Sequence, residues 1–296
     1  MYRTQIWAKE SKGDQIWPIC IPSYNRPSPK ILKKAPPGLP LILFVRKEQK
    51  ELYKRLKEEY SGLRVVSITN VHDLGETRAK IVKWAKYFRH KNIFMLDDDI
   101  LSMDYLYPGE TSGGNTCMRS SRINHGKRSA LNPRGFKVWQ YIIEHELSPE
   151  TAITAPLYRP DSWHMKNADA EYRYNSGQCM QCVHLNIELL DKYGLNYGSN
   201  SKYGVEDLSL QFWAMEAGLK TCAITDLVYD CPPINSEPGG CENANGIQDA
   251  AKRYNYYCDK FYENVCHGDH PGVGIKTSRS GFKSIKLNWR YWRENS

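Results

Sequence analysis

The residues best suited to chemistry lie in one short run, Asn92-Ile93-Phe94-Met95-Leu96-Asp97-Asp98-Asp99-Ile100. An apolar stretch that stops at three consecutive carboxylates is poor core material. Adjacent like charges repel unless something positive sits among them, and hard divalent cations, which prefer oxygen ligands, are the natural partner. Mg2+ or Mn2+ held in this way also carries phosphate oxygens, although a bare Asp triplet equally suits a solvated acidic turn. Arg78 stands in the first turn of an expected helix, where the positive end of the dipole disfavours a cation, so a bound anion explains it better than helix stability does. Glu206 and Asp207 open another expected helix, a place where acids are also good caps. Residues 111–143 hold Arg119, Arg122, Lys127, Arg128, Arg134 and Lys137 and no acid. A basic loop just past the triplet is where an anionic acceptor would be gripped.

The elements that must position these groups follow from periodicity. Residues 16–21, 39–45 and 63–68 read as strands, and the first runs into Pro22-Ser23-Tyr24-Asn25-Arg26-Pro27, a loop able to stack a base and hold a phosphate. The second ends at Arg46. Residues 47–60 read as a helix with Leu52 and Leu56 on one face, and 75–89 as a helix presenting Ile81, Val82, Ala85 and Phe88. The run ending at Leu96 suits a buried parallel strand, which puts the Asp triplet at its carboxyl end, where open α/β sheets bind ligands. Beyond it the pattern predicts a helix at 136–147, strands at 151–155, 176–183 and 218–224, and a helix at 247–261. Between 158 and 174 lies a polar, aromatic stretch in which Trp163 and His164 are weak candidates for acceptor contact. The expected fold is α/β, a mostly parallel, Rossmann-like central sheet flanked by helices, with an irregular C-terminal extension. The division falls at 1–225 for the nucleotide-binding and catalytic core and 226–296 for an extension that completes the active site and acceptor surface.

The order Ile-Pro-Ser-Tyr-Asn-Arg-Pro after the first strand, Gly75-x-x-Arg78 on a helix, and Ile-Phe-Met-Leu-Asp-Asp-Asp about 20 residues later resembles the nucleotide-sugar domain of GT-A glycosyltransferases. Within that fold the chain is most similar to the TET-associated glycosyltransferases of phages, which are thought to act on hydroxymethylated pyrimidines in DNA. The resemblance covers about residues 16–225. It implies a donor pocket of Pro22, Ser23, Tyr24, Asn25, Arg26, Arg46, Arg78, Asp97 and Asp98, with Asp98 facing the ribose or sugar. It implies Asp97 and Asp99 as the Asp-x-Asp pair that holds a Mn2+- or Mg2+-bound diphosphate, and Asp207, with Glu206 beside it, as the base of an inverting transfer. A late His or Asp often completes the metal shell in such enzymes, which selects His270, with His267 and Asp269 behind it. The implied donor is a nucleotide sugar, a UDP-sugar by preference. The implied partner is double-stranded DNA carrying a hydroxymethylated pyrimidine, gripped by Arg119, Arg122, Lys127 and Arg128. Two rivals stand: an acceptor on a polysaccharide, glycolipid or protein, and a nucleic-acid-binding protein on a degenerate transferase scaffold.

Bulk properties agree without deciding. The 296 residues, 41% hydrophobic, can bury a substantial core. A formal charge of +8, from 41 basic and 33 acidic residues, allows an anionic partner. Residues 276–293 interleave six basic side chains with Phe282, Trp289, Tyr291 and Trp292, which suits phosphate contact with base stacking or a docked segment with basic edges. The sequence lacks a run of about 18 apolar residues and an N-terminal signal, so the expectation is a soluble, cytoplasmic protein. Nine scattered cysteines suggest reduced thiols. The sharper alternative is zinc at Cys179 and Cys182 shared with Cys231, Cys241, Cys258 or Cys266.

Overall fold

A computed structural model of the chain describes residues 15–33, 35–107, 119–120, 131–158, 172–197, 206–231, 250–277 and 283–295. The first half alternates strand and helix: β1 (Ile19–Ser23), α1 (Lys30–Lys33), β2 (Leu41–Arg46), a 3-10 segment (Lys47–Tyr53), α2 (Leu56–Glu59), β3 (Arg64–Ile68), α3 (Leu74–Tyr87) and β4 (Asn92–Leu96). There follow β5 (Ser102–Tyr107), β6 (Arg119–Ser120), α4 (Pro133–His145), β7 (Thr151–Tyr158), β8 (Tyr172–Tyr174), β9 (Cys182–Asn186), α5 (Ile187–Lys192), α6 (Glu206–Glu216) and β10 (Lys220–Asp230). The chain then adds α7 (Ala250–Phe261), a π turn (Tyr262–Cys266), β11 (Val273–Thr277), β12 (Lys283–Leu287) and α8 (Trp289–Asn295).

One large mixed sheet organises the molecule, in the order β3-β2-β1-β4-β9-β7-β10-β5-β6, with β8 on β10. The four strands β3, β2, β1 and β4 are parallel. β9 is inserted antiparallel to both β4 and β7, so β7 and its parallel neighbour β10 run the same way as β4. From β1 the chain travels outward to β2 and β3, then returns to β4 on the other side of β1. The loops leaving β1 and β4 therefore part company at a switch point, which opens a crevice at the carboxyl ends of these two strands.

The apolar runs are long because the strands are buried on both faces. Ile19, Ile21, Leu41, Leu43, Val45, Phe94 and Leu96 enter one core layer with Phe136, Trp139 and Ile142 of α4. The alternate residues Cys20, Ile42, Phe44, Ile93 and Met95 enter the other, against Ile81, Val82 and Ala85 of α3, Leu190 of α5 and Leu210 and Ala214 of α6. α6 is buried on its second side too, since Leu208, Phe212 and Met215 pack with Phe261, Val265, Val273, Leu287 and Trp292.

Several expectations are corrected. The helix expected over 47–60 is a 3-10 segment followed by one α turn, with Leu52 exposed, because Tyr53 is drawn wholly into the core to hydrogen-bond with Ser23 and the Arg26 amide. The strand expected at 176–183 starts only at Cys182, since Asn175, Gly177 and Gln181 take left-handed backbone conformations that an extended chain excludes. The division at 225 falls inside β10, whose later residues Leu227 to Asp230 pair with β5. The described part of the extension is a regular module of two helices and an antiparallel strand pair rather than an irregular tail. Within it Trp292 is buried, and Trp289 and Tyr291, half-buried, pack against the same cluster, as a docked segment does.

Candidate active site at the switch-point crevice

The loop leaving β1 is fixed from beneath. Ser23 Oγ donates to Asp98 Oδ2 at 2.5 Å and shares a hydrogen bond with the Tyr53 hydroxyl at 3.0 Å. The Arg26 amide donates to the same hydroxyl at 2.9 Å, and the amide of Asn25, left-handed at φ 53°, donates to Gln49 Oε1 at 3.0 Å. Arg26 Nη1 then pairs with Asp98 Oδ1 and lies 3.1 Å from Asp99 Oδ2. The middle acid of the triplet is thus turned inward and engaged by the protein, which corrects its expected role facing ribose or sugar. Burial outweighs the attraction of Arg26 and pushes the Asp98 carboxyl up to about 7.

Asp97 faces the other way. Its amide donates to the Gln181 carbonyl at 2.8 Å, and its Oδ1 accepts from Arg78 Nη2 at 2.6 Å. α3, capped by Asp73, brings Arg78 to this point with 2% of its surface exposed. Arg78 Nη1 also donates to Glu206 Oε1 at 3.0 Å and to Asp207 Oδ1, both in the first turn of α6. The anion that explains an arginine so early in a helix is therefore the protein's own set of carboxylates, in place of the expected nucleotide. Burial pushes Glu206 up to about 7 despite the arginine, and it raises Asp97 and, with help from Asp97's charge, Asp99.

Five carboxylates (Asp97, Asp98, Asp99, Glu206, Asp207) face two guanidinium groups (Arg26, Arg78), so full ionisation leaves five negative charges against two positive, a net of −3. Asp99 Oδ1 is buried without a hydrogen-bond partner, and Asp97 Oδ2 has none among the described residues. Hard oxygen donors with uncompensated charge fit Mg2+ or Mn2+. Among the described residues no three metal-ligating side chains converge, so the donor set suits a cation that brings phosphate oxygens and water rather than one caged by protein alone.

Beside this network Tyr24 is 43% exposed, with the Arg46 guanidinium 4.0 Å from its ring centroid and Arg46 Nη2 donating to the His72 carbonyl at 2.8 Å. Pro22 is buried within β1. His270 is placed elsewhere. Its Nε2 lies 3.1 Å from Glu216 Oε1, its Nδ1 accepts from the Gly272 amide, and its ring stacks on Trp292. Glu216 ends the helix that Glu206 begins, about 15 Å away at 1.5 Å per residue. The expected metal role of His270 is corrected accordingly, and His267 and Asp269 share its turn. Arg119 lies in β6, while Arg122, Lys127, Arg128, Trp163 and His164 lie outside the described residues. Cys20, Cys179, Cys182, Cys222, Cys231 and Cys258 are buried thiols and burial raises Cys179 and Cys182, while Cys241, a further candidate for the zinc alternative, lies outside the described residues. Sequence reasoning missed Tyr53, Tyr197 beside Arg78, and Gln181 beside Asp97, since each is brought in by a tertiary contact with no local signature.

No family model and no curated protein matches the sequence. Among solved structures, GalNAc-T7 with UDP, GalNAc and Mn2+ aligns with 86% of this chain at 12% identity and a TM-score of 0.46, and this chain spans about half (49%) of its length. S. aureus TarS 1-349 in complex with UDP-GlcNAc aligns with 84% of this chain and 67% of its own, at 12% identity and a TM-score of 0.41. Mannose-1-phosphate geranyltransferase from Thermus thermophilus aligns with 74% and 75%, at 10% and 0.35. Values this low assign neither a family nor an activity to the chain.

Proposed function

We propose that the chain is a metal-dependent glycosyltransferase of GT-A type that moves a sugar from a nucleotide sugar, a UDP-sugar by preference, to the hydroxyl of a hydroxymethylated pyrimidine in DNA. One observation carries the reading: Arg78 ties the metal-side carboxylate Asp97 to the acid pair Glu206 and Asp207 at a crevice that retains a net negative charge. Asp97 and Asp99 would hold the divalent cation, which would supply positive charge against the leaving diphosphate. Tyr24, backed by Arg46, offers a half-exposed aromatic face for the nucleobase. Asp207 Oδ1 is fixed by Arg78 while Oδ2 has no partner among the described residues, so Oδ2 takes the proton of the acceptor hydroxyl as that oxygen attacks the anomeric carbon. Glu206, more deeply buried and raised by burial, orients Arg78. The formal charge of +8 and the acid-free basic run at 111–143 support an anionic acceptor.

The deciding experiment incubates the protein, Mn2+ and a panel of nucleotide sugars with hydroxymethylated duplex DNA, followed by mass spectrometry of the nucleosides. A hexose or pentose mass added to the modified base is expected. Donor hydrolysis without DNA product would move the acceptor to a polysaccharide, glycolipid or protein. The absence of both would leave a binding protein on a transferase scaffold. In the same assay Asp207→Asn should lower transfer roughly a hundredfold or more while donor binding stays within about twofold.

A further inference from the structure

We propose that Gln181 reads the transferred sugar through its side-chain N–H groups. This inference deepens, and rests on, the nucleotide-sugar reading above. The position comes from pairing. β9 begins at Cys182, opposite Leu96 of β4, so Gln181 is the lateral neighbour of Asp97 and accepts its amide at 2.8 Å. The loop leading to it is tied to the helix that carries Glu206 and Asp207, since the Cys179 amide donates to Gln211 Oε1 at 3.1 Å. Gln181 therefore stands beside the metal-side carboxylate, at the ends of β4 and β10, on a loop tied to the helix that carries the acid pair. A sugar joined to a diphosphate at Asp97 and Asp99, and attacked by an acceptor whose proton goes to Asp207, occupies the same ground.

The side chain is also oriented. Its Oε1 accepts from Cys231 Sγ at 3.2 Å and from the Tyr229 hydroxyl at 3.4 Å. Two donors on the oxygen fix which end of the carboxamide faces the protein, so the nitrogen is directed away from them. That nitrogen has no partner among the described residues although the residue is half-buried. The backbone holds φ at 54°, a left-handed conformation that a glutamine rarely adopts and that tends to be retained at functional sites. The chemistry of the surroundings defines the ligand. The nearby carboxylates accept when ionised, and Arg26 Nη1 and Arg78 Nη1 and Nη2 are already paired with them. A neutral carboxamide donor supplies what is missing for a neutral oxygen, a sugar hydroxyl or an acetamido carbonyl.

The test compares, by calorimetry with Mn2+, the affinities for a nucleoside diphosphate and for its nucleotide sugar, across the uridine, guanosine, cytidine, adenosine and thymidine series. Two variants are used. Gln181→Gly accepts the left-handed backbone without strain, and Gln181→Met keeps the side-chain length without the N–H groups. Both are expected to bind the nucleotide sugar roughly 5- to 20-fold more weakly than wild type, the loss of about one hydrogen bond, with the diphosphate within about twofold. Wild-type affinity for the nucleotide sugar in both variants would overturn the proposal. So would parallel weakening for diphosphate and nucleotide sugar, which would mean that Gln181 only supports Asp97. If the wild-type protein itself binds no nucleoside diphosphate with Mn2+, the nucleotide-sugar reading falls and this inference falls with it.

Discussion

Individual residues in the crevice divide into those that support and those that face outward. Asp98 is held by Ser23 and Arg26, whereas among the described residues Asp99 Oδ1 is buried without a hydrogen-bond partner and Asp97 Oδ2 has none. Asp97→Asn and Asp99→Asn should therefore each weaken Mn2+-dependent binding of a nucleoside diphosphate by about tenfold or more, and Asp98→Asn should weaken it less. Calorimetry decides, and equal losses in all three would mean that the triplet acts only through its net charge. A second residue-scale expectation concerns His184, wholly buried beside Trp17 and Phe94, with Nε2 2.9 Å from Asn92 Oδ1 and Nδ1 without a partner among the described residues. Burial lowers its pKa to about 3, below the ordinary value of 6.5. The unfolded chain then binds a proton that the native chain refuses between these values, so stability is full above about pH 6.5 and falls as pH drops, by up to about 1.4 kcal/mol per pH unit. Buried acids such as Glu206 push the opposite way, so the readout is the difference between wild type and His184→Gln. Urea unfolding should show that difference moving in favour of the variant from pH 7 to pH 5, and a constant difference would contradict the assignment.

At the scale of elements, Arg78 makes a single junction of α3, the end of β4 and the start of α6. Partners 19, 128 and 129 residues away in sequence meet on one guanidinium. Replacing it by methionine keeps much of the volume but leaves three carboxylates facing one another in a buried place. The expected cost is about 3–5 kcal/mol in urea or thermal unfolding, and Glu206→Gln in the same background should recover part of it. A loss under about 1 kcal/mol would mean that water reaches the acids. The far end of α6 is set by packing. Phe212 meets Phe261 and Trp292, and the Trp292 indole donates to the Gly272 carbonyl at 2.8 Å. A Cβ on Gly272 would stand 2.5 Å from the Trp292 ring, so the close approach of this turn needs glycine. The C-terminal module thus acts on the site through α6, by holding the helix that presents Glu206 and Asp207.

At the scale of the whole molecule the proposed nucleic-acid acceptor can be tested through charge. Among the described basic side chains of the C-terminal module Lys276, Lys286, Arg290 and Arg293 are exposed, and Arg119 lies in β6 at the edge of the main sheet. If the acceptor is DNA, affinity should fall steeply with salt, because each neutralised phosphate releases counter-ions. Substituting Arg122, Lys127 and Arg128 together by alanine should lower the slope of log affinity against log salt by up to about three units, with donor hydrolysis unchanged. A salt-independent or undetectable affinity for duplex DNA would set the nucleic-acid acceptor aside. Among the described residues no helix is long and apolar enough to cross a membrane.

What the sequence determined by itself is what short range controls. Continuous apolar runs required strands buried on both faces, the period of residues 75–89 marked α3 with Ile81, Val82 and Ala85 buried although Phe88 lies exposed past its end, and the abrupt change from Leu96 to Asp97 put carboxylates at a strand's end. Local chemistry also identified the loop after β1 and the acids that open α6. The tertiary structure alone decided which partner each of these groups meets. Insertion of β9 against β4 brought Gln181 to Asp97, and burial of Tyr53 broke a helical pattern to pin the Ser23–Arg26 loop. The meeting of Arg78 with Glu206 and Asp207, and the removal of His270 to the opposite end of α6, follow from how layers stack over the sheet. Spacing along the chain fixes the period of an element and the face a residue occupies. It carries no term for a contact across more than a hundred residues, which depends on strand order and on the packing of one layer against the next.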